Sequence, residues 1–362
     1  MDLRLPEPNR RAGSSSFLNT DLPENSREYS DITSFLYGGD DRYRLKQEMV
    51  LGIGGVRMLE ILNFKVRKYH MNEGHSSLLT LELLKRNGMN AGRTRDLCIF
   101  TTHTPVAAAF DKFSYEDVNK LMGEEFPLEN IKRYAGNDNL NATLLALNLS
   151  KYVNDVTNAH MEYSRILFPG YHLRGITNGV HPLKWTCEFF RELFDRHVPG
   201  WANEPELLVR VDEVSHEEIW NAHIKAKKAL IDYIAEKNGV GLNMNVLTLG
   251  FARRATAYKR ATLIFSDLNR LKEVNYAGRL QLVFAGKAHP RDDAGKHGIK
   301  DIYSNMAGLR GEIEAVYLDN YDMEQAAKMV SGVDIWLNTP LPPMEASGTS
   351  GMKAAYKWSC QL

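Results

Sequence analysis

Four short apolar runs stand out along the chain, Leu97 to Phe100, Val246 to Phe251, Leu280 to Ala285 and Val333 to Leu337, each closed by polar or glycine residues. Continuous, partly β-branched runs of this length suit strands buried on both faces of a parallel sheet. Between them, amphipathic segments predict helices over Ser76 to Lys85, Leu140 to His160, His216 to Lys237, Ala257 to Lys272 and Met323 to Val330. In the third of these, Ile219, Ala222, Ala226, Leu230 and Tyr233 fall on one face. Strand and helix alternate, which gives an α/β fold class.

A polar zone with Pro and Trp runs from His197 to Glu217 and divides the pattern. The expected organisation is a first domain over residues 1–200, a connecting segment and bridging helix over 201–240, and a second domain over 241–362. In open α/β sheets ligands sit beyond the carboxyl ends of the strands, so the residues just after each apolar run are the ones to read for chemistry.

Composition narrows the function classes. At 362 residues the chain is long enough for two domains. Its 45 basic and 45 acidic side chains cancel, which removes the electrostatic footprint of a nucleic-acid binder. Met1 to Ser16 lack the apolar core of a signal peptide, and no apolar run has membrane-spanning length, so a cytoplasmic protein is expected. Cys98, Cys187 and Cys360 show neither a disulfide framework nor metal-knuckle spacing and are read as ordinary thiols.

Two segments carry the densest chemistry. Glu345-Ala-Ser-Gly-Thr-Ser-Gly-Met-Lys353 follows a strand and opens a helix with small residues. Such a turn lets backbone N–H groups approach an anion, and the lysine beyond it is suited to a Schiff base; an ordinary loop with a solvated lysine is the alternative reading. Phe251-Ala-Arg-Arg-Ala-Thr-Ala-Tyr-Lys-Arg260 gathers four cations at a strand-to-helix junction. They repel unless an oxyanion or carboxylates lie among them, and a solvated basic face is the alternative. His103 follows a strand in Thr101-Thr-His-Thr-Pro105, where Pro105 delays a helix. His70-Met-Asn-Glu-Gly-His75 lacks the H-E-x-x-H spacing of a zinc helix, so no metal site is expected. Ile176 to Trp185 combines an Asn-Gly turn with an indole, suited to sugar hydroxyls and equally to a turn packed under a tryptophan.

Taken in order, these segments resemble the α-glucan phosphorylases, specifically the shorter bacterial and archaeal type. The resemblance runs from Thr20 to Ala355. It is carried by Thr20-Asp-Leu-Pro-Glu-Asn25, Leu36-Tyr-Gly-Gly-Asp40, Leu51-Gly-Ile-Gly-Gly-Val56, His70 to His75, Phe100 to Pro105, Thr177 to His181, Gly250 to Arg260, Phe284-Ala-Gly-Lys-Ala-His-Pro290, Ser331 to Pro340 and Glu345 to Lys353. It implies two Rossmann-like domains facing a central cleft, the GT-B glycosyltransferase architecture. The implied reaction is reversible phosphorolysis of terminal α-1,4-glucosidic bonds to α-glucose 1-phosphate, with pyridoxal 5'-phosphate as cofactor and glucan and inorganic phosphate as partners. Lys353 matches the Schiff-base lysine, and Thr349, Ser350 and Gly351 match the turn around the cofactor phosphate, helped by Arg253. Tyr321 and Trp185 match side chains near the pyridoxal ring. Arg254 and Lys259 match the pair holding substrate phosphate. His103 and Asn178 match groups that recognise the glucosyl unit, Glu345, Ser347 and Gly348 match those on its hydroxyls, and Glu73 matches a carboxylate near the sugar. A homodimer is an assembly the resemblance allows.

Two departures from the family pattern shape further expectations. The upstream strand-rich part of the first domain, with its glycine-rich loop, has no counterpart, and Tyr356-Lys-Trp-Ser-Cys-Gln-Leu362 replaces an Asn-Gly turn. Allowed codons for that tail, read one base later, give Thr-Asn-Gly-Arg-Ala-Asn, so a frameshift is expected to show in the nucleotide sequence. Open sheet edges predict poor solubility of the isolated chain, which a sharp cooperative melt would contradict. The alternatives are an inactive remnant that at most binds glucan, and a nucleotide-sugar glycosyltransferase, which needs no cofactor lysine.

Overall fold

In the computed structural model, which describes residues 17–35, 39–103, 110–288, 292–357 and 360–361, the chain divides between Thr177 and Asn178 into two compact units. The readings made of Met1 to Ser16, Leu36 to Gly38, Thr104, Pro105, His289, Pro290, Trp358, Ser359 and Leu362 lie outside the described residues.

The first unit is built on a sheet of β1 (Tyr69–Asn72), β2 (Cys98–Thr102), β5 (Tyr152–Asp155) and β6 (Arg174–Gly175), paired in that order and all parallel. A small antiparallel pair, β3 (Lys112–Ser114) with β4 (Asn139–Asn141), lies between β2 and β5 in the chain. Register sets Met71 beside Phe100 and Phe100 beside Val153. These three buried side chains pack with Leu79 and Leu83, on the helix Leu79–Arg86, and with Leu147.

The second unit holds a parallel sheet of order β11-β10-β7-β8-β9, with β7 at Leu247–Ala252, β8 at Leu280–Ala285, β9 at Glu314–Leu318, β10 at Ile335–Trp336 and β11 at Cys360–Gln361. Every residue of β8 is buried, as a strand covered on both faces requires. Val283 and Ala285 pack in a cluster with Leu230, Met329 and Trp336, while Leu282 and Phe284 pack in another with Phe251, Phe265 and Ile302. The long helix His216–Asn238 starts on a Ser215 cap and stops at Gly239 in the left-handed conformation, φ 68°. It lies against the helix Met323–Gly332 so closely that a Cβ on Gly332 would come within 2.5 Å of Leu230 Cβ.

Three expectations change. The unit boundary falls before the His197 to Glu217 zone, because Phe190 and Phe194 of the helix Glu188–His197 bury themselves with Ile219 and Ala222 of the long helix. The expected helix Leu140 to His160 breaks into β4, the helix Ala142–Asn148, β5 and the helix Asn158–Leu167. Asn141 and Thr157 each cap a new helix start, and the buried run at Val153 is used by the sheet. The expected helix Ala257 to Lys272 becomes two short 3₁₀ turns and the helix Leu268–Ala277, because Arg260 turns left-handed at φ 51° and Asp267 caps afresh. No helix of the described residues is long and apolar enough to cross a membrane.

Candidate active site

The carboxyl end of β7 delivers the first of the basic residues. Arg253 N–H donates to the Ala285 carbonyl at 3.3 Å, extending the β7–β8 ladder by one residue. The facing backbone is so close that a Cβ on Gly286 would lie 2.2 Å from the Arg253 carbonyl oxygen. The Arg253 guanidinium is buried and donates to Glu345 Oε1 at 3.1 Å, to Ser350 Oγ at 2.7 Å and to Asn338 Oδ1. Its Nε is buried without a partner. The second oxygen of Glu345 accepts from Lys259 Nζ, which also lies 4.6 Å from the centre of the Tyr258 ring. Arg260, next in the chain, donates to the Thr339 carbonyl at 2.7 Å and the Pro340 carbonyl at 3.3 Å, tying the loop after β7 to the loop after β10. Arg254 is exposed and pairs with no described residue.

The loop after β10 ends at Gly348, left-handed at φ 67°, and the helix Thr349–Ala355 follows. Ser350 Oγ also accepts from Trp336 Nε1 at 3.3 Å, so the strand and the helix start are bound to Arg253 through one hydroxyl. Further along this helix, Lys353 Nζ sits 3.7 Å from the centre of the Trp185 ring. Burial, with a smaller contribution from the Lys184 charge, pushes the Lys353 amine below the usual lysine range. Among the described residues it has no ion-pair partner. A lysine so placed is more often unprotonated, hence more nucleophilic, than a solvated one. Tyr321 packs on the same core as Trp185, and burial pushes its hydroxyl up to about 12 despite the opposing Arg253 charge. Ser347 Oγ and Thr256 Oγ1 are buried and unpartnered, while Asn178 is half-buried.

Glu73 and His103 belong to the first unit, at the carboxyl ends of β1 and β2. Glu73 adopts φ 66°, a conformation that side chains rarely take, and its Oε2 accepts from the His103 backbone N–H at 2.7 Å. Burial lowers the His103 imidazole below its usual range, partly opposed by Glu73, and its Nε2 is buried without a partner. Nearby in the same unit, ligand-type atoms of Glu48, His75 and Asp111 lie within 4.8 Å of one another. Arg44 already supplies positive charge among them, its Nη2 being 2.7 Å from His75 Nδ1, 3.4 Å from Glu48 Oε1 and 3.5 Å from Asp111 Oδ2.

The second unit thus brings together Arg253, Lys259, Glu345 and Ser350 in one bonded group, and Lys353 with Trp185 in another. The family model described as carbohydrate phosphorylase matches residues 103–359, most of the chain and nearly all of this machinery. The chain belongs to the carbohydrate phosphorylase family. That match continues past Ala355 into the tail that the sequence pattern left unassigned. The chain is similar to the maltodextrin phosphorylase of Thermococcus litoralis, 39% identical over 93% of this chain and 45% of the relative. It is also similar to the glycogen phosphorylases of Aquifex aeolicus, 34% identical over 93% of this chain and 56% of the relative, and of Mycobacterium tuberculosis, 33% over 95% and 46%. The chain spans about half the length of these curated relatives.

Sequence reasoning assigned no role to Asn338 and Trp336, which fix Arg253 and Ser350. The available signal was position: Trp336 closes β10 and Asn338 follows directly beyond it, where ligand-facing residues gather in parallel sheets.

Proposed function

We propose that this chain is the working part of an α-glucan phosphorylase that splits terminal α-1,4-glucosidic bonds with inorganic phosphate, reversibly, to α-glucose 1-phosphate. The relatives named maltodextrin phosphorylase and glycogen phosphorylase support the reading. The observation that carries it is Lys353, a half-buried amine of lowered pKa, lodged on an indole and unpaired among the described residues. The finer architecture, two Rossmann-like domains of the GT-B type, belongs to the same proposal, as do a cytoplasmic location and a homodimer.

Pyridoxal 5'-phosphate fits the residues present. A Schiff base forms through an unprotonated amine, and burial shifts Lys353 toward that form. A phosphate monoester needs donors, and among the described residues Arg253 keeps a buried Nε with no partner, as Thr256 and Ser347 keep unpartnered buried hydroxyls. Lys353 would hold the cofactor, Arg253, Thr349, Ser350 and Gly351 its phosphate, and Trp185 and Tyr321 its ring. When bound, pyridoxal phosphate supplies a phosphate group able to exchange a proton with the substrate phosphate.

The remaining roles fall to side chains of the protein. Arg254 and Lys259 hold the substrate phosphate so that its acidic oxygen protonates the glycosidic oxygen and another oxygen then captures the glucosyl carbon, with retention. Two neighbouring phosphates repel, by about 4 kcal/mol per pair of unit charges at 4 Å in a medium of effective dielectric 20. Arg253, Arg254 and Lys259 offset that repulsion before reaction begins. His103, kept neutral by burial, and Asn178 bind glucosyl hydroxyls, as do Glu345, Ser347 and Gly348. Glu73 orients the His103 backbone. Borohydride reduction after incubation with pyridoxal phosphate is expected to fix the cofactor covalently on Lys353. Retention of both cofactor and turnover by Lys353→Ala would sink the reading.

A further inference from the structure

Glu345 spends both oxygens on cations. Oε1 lies 3.1 Å from Arg253 Nη1 and Oε2 accepts from Lys259 Nζ, while the three side chains are only 18%, 5% and 12% exposed. Charge-assisted bonds from two nearly buried cations are the strongest this carboxylate can make, so it occupies the place an external anion needs. The cations sit on the loop after β7, held by the sheet and by Arg260. Glu345 sits on the irregular stretch between β10 and the helix Thr349–Ala355, beside the unpartnered Ser347 Oγ. Arg254, exposed and unpaired among the described residues, is left as the open cation.

We infer that Glu345 is an internal counter-anion to Lys259, anchored beside it on Arg253, and that incoming phosphate, met first by Arg254, displaces it from Lys259 toward the sugar. This rests on the proposed function for the identity of both ligands. A carboxylate oxygen freed from Lys259 becomes an acceptor for glucosyl hydroxyls, so phosphate and glucan binding help each other. Thermodynamic linkage makes that help equal in both directions. The order of binding then has a structural origin: glucan arriving alone meets a carboxylate turned away from it.

Calorimetric titration of the full chain loaded with pyridoxal phosphate, using inorganic phosphate with and without saturating maltopentaose, tests the idea. In the native sequence each ligand is expected to tighten the other by the same factor, on the order of tenfold and inside the 5- to 150-fold range usual for coupled sites. Glu345→Gln is expected to bind phosphate about tenfold more tightly in the absence of sugar, and to lose the coupling. Unchanged or weaker phosphate binding by a folded Glu345→Gln overturns the inference. So does tighter binding by the variant without coupling in the native chain, which would mean that the carboxylate acts only through its charge at a distance. If the variant does not fold, coupling in the native chain decides alone. Native protein that binds phosphate without coupling defeats only this inference, whereas native protein that binds no phosphate defeats the proposed function as well.

Discussion

The two ends of strands β7 and β10 hold two buried charge clusters that differ in one respect, how completely they satisfy themselves. At the amino end, Asp334 accepts from His223 Nε2, Lys227 Nζ and the Thr248 backbone N–H, each at 2.6 Å. Lys227 also donates to the Val246 carbonyl at 2.8 Å, and among the described residues His223 Nδ1 is the buried atom of this group left without a partner. At the carboxyl end, Arg253 keeps an unpartnered Nε, Ser347 and Thr256 keep unpartnered hydroxyls, and Lys353 has only an aromatic face. A network whose carboxylate and cations satisfy one another specifies the fold, whereas one with several unpaired donors keeps them for something that arrives later. The same sheet therefore pairs most of its buried charge at one end and keeps unpaired donors at the other.

The largest effect should come from the open end. Lys353→Ala is expected to lower phosphorolysis on the order of 10³-fold or more, as loss of a group acting only in the reaction does, while far-UV circular dichroism stays unchanged. At the closed end the expectation is inverted. Asp334→Ala leaves Lys227 and His223 buried without their carboxylate and should cost about 3–5 kcal/mol in denaturant unfolding. Comparable stability loss from Lys353→Ala would erase the distinction between the two ends.

Acid sharpens the same contrast. Burial raises the Asp334 carboxyl, but hydrogen bonds from His223, Lys227 and Thr248 outweigh it and hold the group below the usual aspartate range. A depressed carboxylate gives stability that is fully present above the unfolded value of about 3.9 and drains away as pH falls toward the folded value. Unfolding free energy should therefore drop below about pH 4, and Asp334→Asn should flatten that slope. An equal slope in both proteins would remove Asp334 as the cause.

How much of this was legible in the residues depended on how local the cause was. Leu280 to Ala285 and His216 to Lys237 follow a single period from end to end, and both formed as expected. Leu140 to His160 mixes two periods, and only pairing of Val153 with the distant Phe100 decides between them. The site divided in the same way. Arg253, Lys259, Glu345 and Lys353 were singled out because their segments match a family pattern, yet periodicity alone offers no reason to join Arg253 to Ser350. That contact spans β7 and a helix far along the chain, and Asn338 and Trp336, which complete it, lie in the matching segment Ser331 to Pro340 but were given no role there.

A smaller effect separates capture of phosphate from folding at the open end. The Arg254 side chain is exposed and has no recorded partner among the described residues, so Arg254→Ala should leave the thermal midpoint unchanged within error and weaken phosphate about 10- to 100-fold, the loss expected for one charge-assisted contact. A fall in the midpoint without a change in phosphate affinity would assign Arg254 to structure instead.

The smallest expected shift also has the opposite sign. Lys353 is held in a site that lowers its pKa, so between its folded value and the unfolded value of about 10.4 the unfolded chain binds more protons. Stability then rises with pH through that window, and at neutral pH the charged amine is a burden to the fold. Because the group is half exposed, solvent screens most of the burden. Lys353→Met is expected to raise the midpoint of the cofactor-free chain at pH 7 by about 1 °C, the scale of a few tenths of a kcal/mol in a domain of this size. The gain should vanish above pH 10, where the amine is neutral in the folded chain as well. A residue whose removal helps the fold and ends the reaction is held in place by chemistry; a drop in the midpoint on the same substitution would return Lys353 to the ranks of packing residues.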